Sequence, residues 1–241
     1  MSSRRASTTF LSSEVMLERR SIWTRNAVPG QRVYGESTKH IKGSEFRKWD
    51  PYRSKLGAAL LRTQQSPAQL LPQQGESILY LGAGHGTSVS HLYDHLCGAN
   101  NAHGGRLICI DLSPRCLRNL TLHAVKRPGL VPILGDARQF GAWGMMVSTR
   151  VPWLFQDVAQ AGQVEIFIRA CQRFLNVGGM GLLSLKAASE RWTGQGERQL
   201  FHDAAMKLKE ANFRLIEEIE LTGFEDQHHL FVVEWMGMSD A

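Results

Sequence analysis

From Ser77 onward the chain alternates short apolar runs with longer stretches in which apolar residues recur every three or four positions. The runs at 78–81, 106–110, 130–134, 151–155 and 179–185 predict buried strands, and the amphipathic stretches predict helices beginning near Thr87, Pro114 and Gln163. Strand and helix in strict alternation make a parallel sheet covered on both faces. The last of these helices, "VEIFIRACQRFL", is expected to stop before Gly178-Gly179. The grammar then changes. A polar helix, "GERQLFHDAAMKLKEANF", precedes two alternating runs, "RLIEEIEL" and "HLFVVEW", with only a loop between them. The expected fold class is therefore α/β: a mostly parallel seven-stranded sheet that ends in an antiparallel hairpin.

Ahead of this pattern, residues 1–35 lack helical periodicity and end in "VPGQRVYGE", whose Pro29-Gly30 marks a turn between extended pieces. A small β-rich N-terminal segment is expected over 1–35, its first residues "MSSRRASTTFLSS" forming a tail, with the main domain over 36–241. In "WDPYRSKLGAALLRTQ", Asp50 is the expected N-cap and Pro51 the first helical residue, followed by Tyr52, Leu56, Ala59 and Leu60 on one face. That helix carries Lys55. "SPAQLLPQQGES" reads as a linker.

Composition adds limits. The 241 residues are 43% hydrophobic and 21% charged, enough for a full core, and no apolar run approaches the ~20 residues of a membrane-spanning helix. With no secretory signal either, an intracellular protein without a membrane partner is expected. Cys97, Cys109, Cys116 and Cys171 show no Cys-x-x-Cys pair, and the nine histidines lack metalloprotease spacing, so neither disulfides nor a metal are expected. The net charge of +6 and a pI near 9.4 favour a polyanionic partner. Arg4, Arg5, Arg19, Arg20, Arg25, Arg32, Lys39, Lys42, Arg47, Lys48, Arg53 and Lys55 crowd the first quarter, which is the expected partner-facing side.

The stretch "ILYLGAGHGTSVSHL" runs from the first predicted strand into a helix through Gly82, Gly84 and Gly86. Such glycines suit a tight turn and a ligand close to the backbone. The order Gly-x-Gly-x-Gly departs from the Gly-x-Gly-x-x-Gly of dinucleotide folds, and no Gly-Lys-Ser/Thr follows for a nucleoside triphosphate. S-adenosylmethionine or an atypically bound nicotinamide cofactor remain. The terminal hairpin separates them, because it belongs to the class I methyltransferase arrangement, a Rossmann-like sheet, whereas a dinucleotide fold continues with parallel strands. In such sheets ligands bind beyond the carboxyl ends of the strands, where Asp111, Asp136, Asp157 and Lys186 stand. Asp111 suits the ribose hydroxyls of an adenosine and Asp136 its amino group. Asp157 suits the meeting point of substrate and methyl, with Lys186 expected as its neighbour.

The segments "AVPGQRVYGES", "FRKWDPYRSKLGAALL", "LYLGAGHGTSVSHL", "DLSPR", "PILGDAR", "FQDVAQ", "GGMGLLSLKA" and "HHLFVV", in this order over about residues 25–235, resemble the fibrillarin family of ribosomal-RNA 2′-O-methyltransferases. "DPYRSKL" and "DVAQ" are its most specific motifs. The resemblance implies cofactor contacts at Thr87, Ser88, Asp111, Leu112, Asp136 and Ala137, and along Asp157, Val158, Ala159 and Gln160, beside the glycine loop at Gly82 and Gly84. It implies a catalytic set of Lys55, Asp157, Lys186 and His228, of which Lys55 and His228 come from the resemblance alone. The chain departs from the family's commoner residues at Gly84, His85, Asp111, Leu112 and Ala161, and its first 24 residues match poorly.

The resemblance further implies partners: a box C/D guide RNA pairing with target ribosomal or transfer RNA, a Nop-family scaffold protein and a kink-turn-binding ribosomal-type protein. Without a Gly/Arg-rich N-terminal extension the chain is similar to the archaeal form, which implies a cytoplasmic site of action. Two other readings predict different behaviour. A stand-alone methyltransferase would turn over without a guide complex, and a non-catalytic RNA-bound scaffold would tolerate loss of Asp157. A nicotinamide-dependent reductase lacks its glycine order and a suitably placed Tyr/Lys or Ser/Tyr pair.

Overall fold

The computed structural model describes residues 8–189 and 196–238. Arg4 and Arg5, part of the basic first quarter, lie outside the described residues. Five short strands come first: β1 (Thr8–Phe10), β2 (Val15–Glu18), β3 (Ser21–Arg25), β4 (Thr38–Ile41) and β5 (Ser44–Trp49). They form an antiparallel sheet in the order β1-β2-β3-β5-β4. Two sequence expectations are corrected here. Thr8–Phe10, expected in a tail, pair with Met16–Glu18. The division at residue 35 falls between β3 and β4, so the small sheet runs on to Trp49.

The predicted single helix after Asp50 is two elements. Asp50 Oδ1 accepts from Tyr52 N–H at 3.0 Å and caps only a short 3-10 turn, Pro51–Arg53. Ser54 then caps α1 (Lys55–Arg62), its Oγ accepting from Gly57 N–H at 3.1 Å. An extended Ser54 resets the chain direction. Lys55 therefore stands at the very start of α1, on the first turn.

The main sheet contains β6 (Ser77–Leu81), β7 (Arg106–Asp111), β8 (Leu130–Leu134), β9 (Val151–Gln156), β10 (Leu175–Lys186), β11 (Phe213–Glu220) and β12 (His228–Trp235). Its order is β11-β12-β10-β9-β6-β7-β8. The pairs β10–β9, β9–β6, β6–β7 and β7–β8 are parallel, while β12 runs antiparallel to both β10 and β11. The connecting helices are α2 (Thr87–Cys97), α3 (Pro114–Ala124), α4 (Phe140–Trp143), α5 (Gln163–Phe174) and α6 (Glu197–Glu210). The sheet fold and its closing hairpin match the sequence expectation.

Period-2 alternation divides the core. Ile78 and Tyr80 face one way, with Leu92, Phe155, Leu56 and Trp49, and Leu79 and Leu81 face the other, with Ile110, Phe167 and Phe231. The first cluster also takes in Val15 and Ile22, so the small sheet shares a hydrophobic core with the large one. The helix α5 ends before Gly178-Gly179, as expected. It ends at Phe174 and β10 starts at once, with the glycines in an irregular stretch where the register against β9 shifts between Leu175 and Met180.

A buried ionic knot fastens the small sheet to α2. The Arg47 guanidinium, fully buried, donates to Asp94 Oδ2 from Nη2 at 2.7 Å and from Nε at 3.1 Å, and from Nη1 to Glu36. Thr24 donates to the same Asp94 oxygen at 2.9 Å, and Ala27 N–H to the other at 3.1 Å. The His91 ring stacks on Trp49 at 5.0 Å. Arg47 thus leaves the partner-facing set, as does Lys39, which pairs with Glu18 at 2.6 Å and lies 3.9 Å over the Trp23 ring.

Candidate active site

The carboxyl ends of β6, β7 and β9 open onto a cleft of about 520 Å³, a size that suits a small-molecule ligand. The three loop glycines are there for different reasons. At Gly82, with φ +79°, a Cβ would stand 2.2 Å from the Asp157 carbonyl oxygen, so this glycine lets the chain after β9 cross close by. At Gly86, with φ +101°, a Cβ would meet the His123 ring at 2.8 Å, which makes it a helix-packing glycine. At Gly84, with φ +61°, nothing lies within 4 Å, and this residue faces the cleft itself. Gly82 and Gly84 both line the cleft, but of the three only Gly84 would turn a Cβ into open space.

Asp111, at the end of β7, holds this loop in shape. Its Oδ2 accepts from Gly84 N–H at 2.7 Å and its Oδ1 from Ser113 N–H at 2.8 Å. Each oxygen keeps a lone pair for a ligand hydroxyl. Ser113, rather than Asp111, caps α3, accepting from Cys116 N–H at 3.3 Å. Leu112 beside it is 53% exposed and offers an apolar surface at the rim of the cleft. On the opposite wall stand Asp157, Val158, Ala159 and Gln160, and Gln160 Oε1 is buried with no partner among the described residues. An orphaned buried amide oxygen is costly unless a ligand donor meets it.

Three expected contacts are placed differently. Gly135 and Ala137 line the cleft, whereas the Asp136 carboxylate is gripped by Arg138, from Nη2 at 2.6 Å and Nε at 3.0 Å. That guanidinium holds the Asp136 carboxyl below the usual range. Thr87 and Ser88 are not among the residues lining the cleft. Ser88 is buried instead, its hydroxyl 2.7 Å from that of Ser54. This seam, which the sequence reading missed, ties the first turn of α2 to the cap of α1. Ser54, the Ser of "DPYRSKL" directly before an apolar run, carried the signal of a helix cap.

The seam places Lys55. Its Nζ lies 3.2 Å from Asp157 Oδ2 at the wall of the cleft, so the carboxylate's ion partner is this helical lysine and not the expected Lys186. Asp157 itself is fixed by its backbone, N–H donating to Leu81 O at 2.9 Å. His228 opens β12 and is buried, and its Nδ1 lies 2.9 Å from Asp226 O. A carbonyl oxygen only accepts, so this contact makes Nδ1 the protonated nitrogen and leaves the lone pair on Nε2. Burial pushes the His228 pKa down, and the nearby Lys55 ammonium pushes it the same way. His228 is neutral at neutral pH. Lys186 stands opposite His228 in the antiparallel register of β10 and β12, and it makes no ion pair within 4.0 Å among the described residues. Its backbone is gripped on both sides by the buried Gln163 amide, at 3.1 and 3.2 Å.

An ion pair thus borders a glycine-floored cleft at the carboxyl ends of a parallel sheet, while the expected catalytic residues Lys186 and His228 are not among the residues lining it. Among the described residues no group of three or more His, Cys, Asp or Glu could hold a metal ion.

The model of the family described as Fibrillarin matches residues 3–237. The chain belongs to the fibrillarin family. The match takes in the first residues, which the sequence reading left largely outside it. The chain is 40% identical over 213 residues to the fibrillarin-like rRNA/tRNA 2′-O-methyltransferase of Pyrococcus furiosus, covering 88% of each protein. It resembles the Methanococcus jannaschii fibrillarin pre-rRNA processing protein with a TM-score of 0.84 and 30% identity, over 96% of this chain and 98% of that one. Aeropyrum pernix fibrillarin, solved with natively bound S-adenosyl-L-methionine, gives a TM-score of 0.79 at 32% identity, over 94% and 97% of the two chains. A fibrillarin from a complex with Nop5p gives 0.77 at 27% identity, over 92% and 97%. In this fibrillarin-family chain the mostly parallel sheet with its closing hairpin is the class I methyltransferase arrangement.

Proposed function

We propose that this chain is an S-adenosylmethionine-dependent methyltransferase that modifies ribose 2′-hydroxyls in ribosomal or transfer RNA, within a box C/D assembly. The observation that carries the reading is the Lys55–Asp157 ion pair on the wall of the 520 Å³ cleft. The cleft fits the cofactor: Asp111 oxygens for hydroxyls, Leu112 for an apolar ring, and the orphaned Gln160 oxygen for a donor. The bound cofactor supplies a methyl group on a sulfonium.

A ribose hydroxyl is a weak nucleophile, so the protein acts by alignment and by easing proton loss. Asp157 accepts the hydroxyl's hydrogen bond and orients its lone pair. The Lys55 ammonium, paired with that carboxylate, stabilises the negative charge that develops on the oxygen. His228, neutral and with Nε2 unprotonated, takes the proton as the new oxygen–carbon bond forms and the carbon–sulfur bond breaks. Lys186, across the β-ladder from His228, adds positive charge at the substrate side.

Guide-directed target choice, a Nop-family scaffold and a kink-turn-binding ribosomal-type protein belong to the same proposal. The Nop5p complex of a relative supports the scaffold, and the resemblance to archaeal-type members supports the guide and a cytoplasmic site of action. The test is reconstitution with a box C/D guide RNA, scaffold proteins, a paired target and labelled S-adenosylmethionine. Methylation of one paired ribose is expected, together with near inactivity on naked RNA. Efficient transfer by the chain alone would favour a stand-alone enzyme, and cofactor binding without any transfer would favour a non-catalytic role.

A further inference from the structure

A second concavity, of about 780 Å³, lies where the small sheet meets the main domain. Arg19, Arg20 and Arg62 are exposed on its rim and Lys48 is half-buried, against one carboxylate among the lining residues, Asp50, which is engaged in capping Tyr52 N–H. Tyr52, 64% exposed, meets Phe224 edge-on with centroids 5.1 Å apart, and the Arg62 guanidinium lies 5.4 Å over the Phe224 ring. The groove is built by the segments that deliver the candidate catalytic groups. Tyr52 lies in the turn that leads into Lys55, and Phe224 in the loop that leads into His228, which Leu221 N–H closes onto His228 O at 3.0 Å.

The arginines have an unusual setting. Glu18 pairs with Ser21, so Arg19 and Arg20 form the two-residue tip of the β2–β3 hairpin, and Arg19 has φ 55°, a conformation that glycine or asparagine takes at lower strain. Both arginines line the groove, so the hairpin tip presents its charge there. Guanidinium groups beside an exposed aromatic face are the elements that bind single-stranded nucleic acid, phosphates on the cations and a base on the ring.

We propose that this groove is a subsite for the RNA strand that carries the target ribose. Arg19 and Arg20 hold its phosphates, and Tyr52 stacks one base of that strand beyond the guide-paired segment. This rests on the RNA-directed reading above.

The test uses the full chain and a short single-stranded RNA with one 2-aminopurine, titrated over a range of salt concentrations. Wild type binds with a steep salt dependence and quenches the fluorophore. The double variant Arg19→Gly, Arg20→Gln lowers the slope of log K against log salt by about 1.4, two phosphates at about 0.7 each. Its melting temperature does not fall, because glycine suits the φ of position 19. Tyr52→Ala abolishes the quenching and weakens binding about fivefold or more. Affinity for S-adenosylmethionine stays at the wild-type value in every variant. The proposal is overturned if the variants keep the wild-type slope and quenching, if wild type binds no RNA at low salt, or if an acidic peptide binds the groove in place of RNA. Failure of cofactor binding in wild type would instead strike the methyltransferase reading and leave this titration standing.

Discussion

Lys55 Nζ sits 3.2 Å from Asp157 Oδ2, although one residue begins a helix beside the small sheet and the other ends a central strand of the large one. Asp157→Asn removes the charge that orients the hydroxyl and holds the ammonium. The expected result in the reconstituted complex is a fall in kcat of about a hundredfold or more, with a much smaller change in cofactor affinity. Lys55→Met has the same signature. Single-turnover rates and calorimetric cofactor titration separate the two quantities, and a wild-type kcat in Asp157→Asn would remove these residues from the mechanism.

Gly82 and Gly84 are two positions apart and respond differently to alanine. At Gly82 the new methyl would sit 2.2 Å from the Asp157 carbonyl, so the strand end must move; a stability loss of about 2–4 kcal/mol and loss of activity are expected. At Gly84 only the left-handed backbone objects, at about 1 kcal/mol, and the methyl enters the cleft, so cofactor affinity suffers most. Thermal melts and cofactor titrations of both variants decide. Equal stability losses would contradict the assignment.

Arg47 joins Asp94 and Glu36 with no exposure to solvent. Arg47→Ala leaves two buried carboxylates without their cation, and a loss of about 3–5 kcal/mol is expected in denaturant unfolding. Exposed Lys42→Ala serves as the control, with a change near zero. A similar small loss for both would show the knot to be solvated.

Acid should destabilise the fold through its buried histidines. His91, His95 and His228 are buried, and burial holds each pKa below the ordinary value. The unfolded chain takes up these protons near pH 6.5 while the folded chain does not, so their contribution is complete above that pH and is lost as pH falls toward the folded values. The slope approaches about 1.4 kcal/mol per pH unit for each histidine within that window. Melting temperature measured from pH 7.5 down to 5 checks the sign. A rise on acidification would contradict it.

The linear pattern determined the architecture, because a strand buried on both faces must be continuously apolar and a crossover helix must be amphipathic; the parallel strands and the terminal hairpin were legible for that reason. The glycine loop, Asp111 and Asp157 were legible too, since strand ends are fixed by where apolar runs stop. The knot at Arg47 was not. Charge in the sequence carries no sign of burial, and the partners of Arg47 are brought to it from elsewhere in the chain, Glu36 by the loop before β4 and Asp94 by α2.

The partner of Asp157 was equally hidden. Adjacency in the sheet suggested Lys186, whereas the choice of Lys55 depends on Ser54 ending one turn and starting α1, and on the Ser54–Ser88 contact that docks α1 against α2. The sequence by itself determined the sheet, its ligand-binding edge and the residues at the strand tips, because these follow from periodicity. Only the tertiary structure decided which cation meets which carboxylate, because that depends on how a short capped helix from outside the sheet packs over its edge.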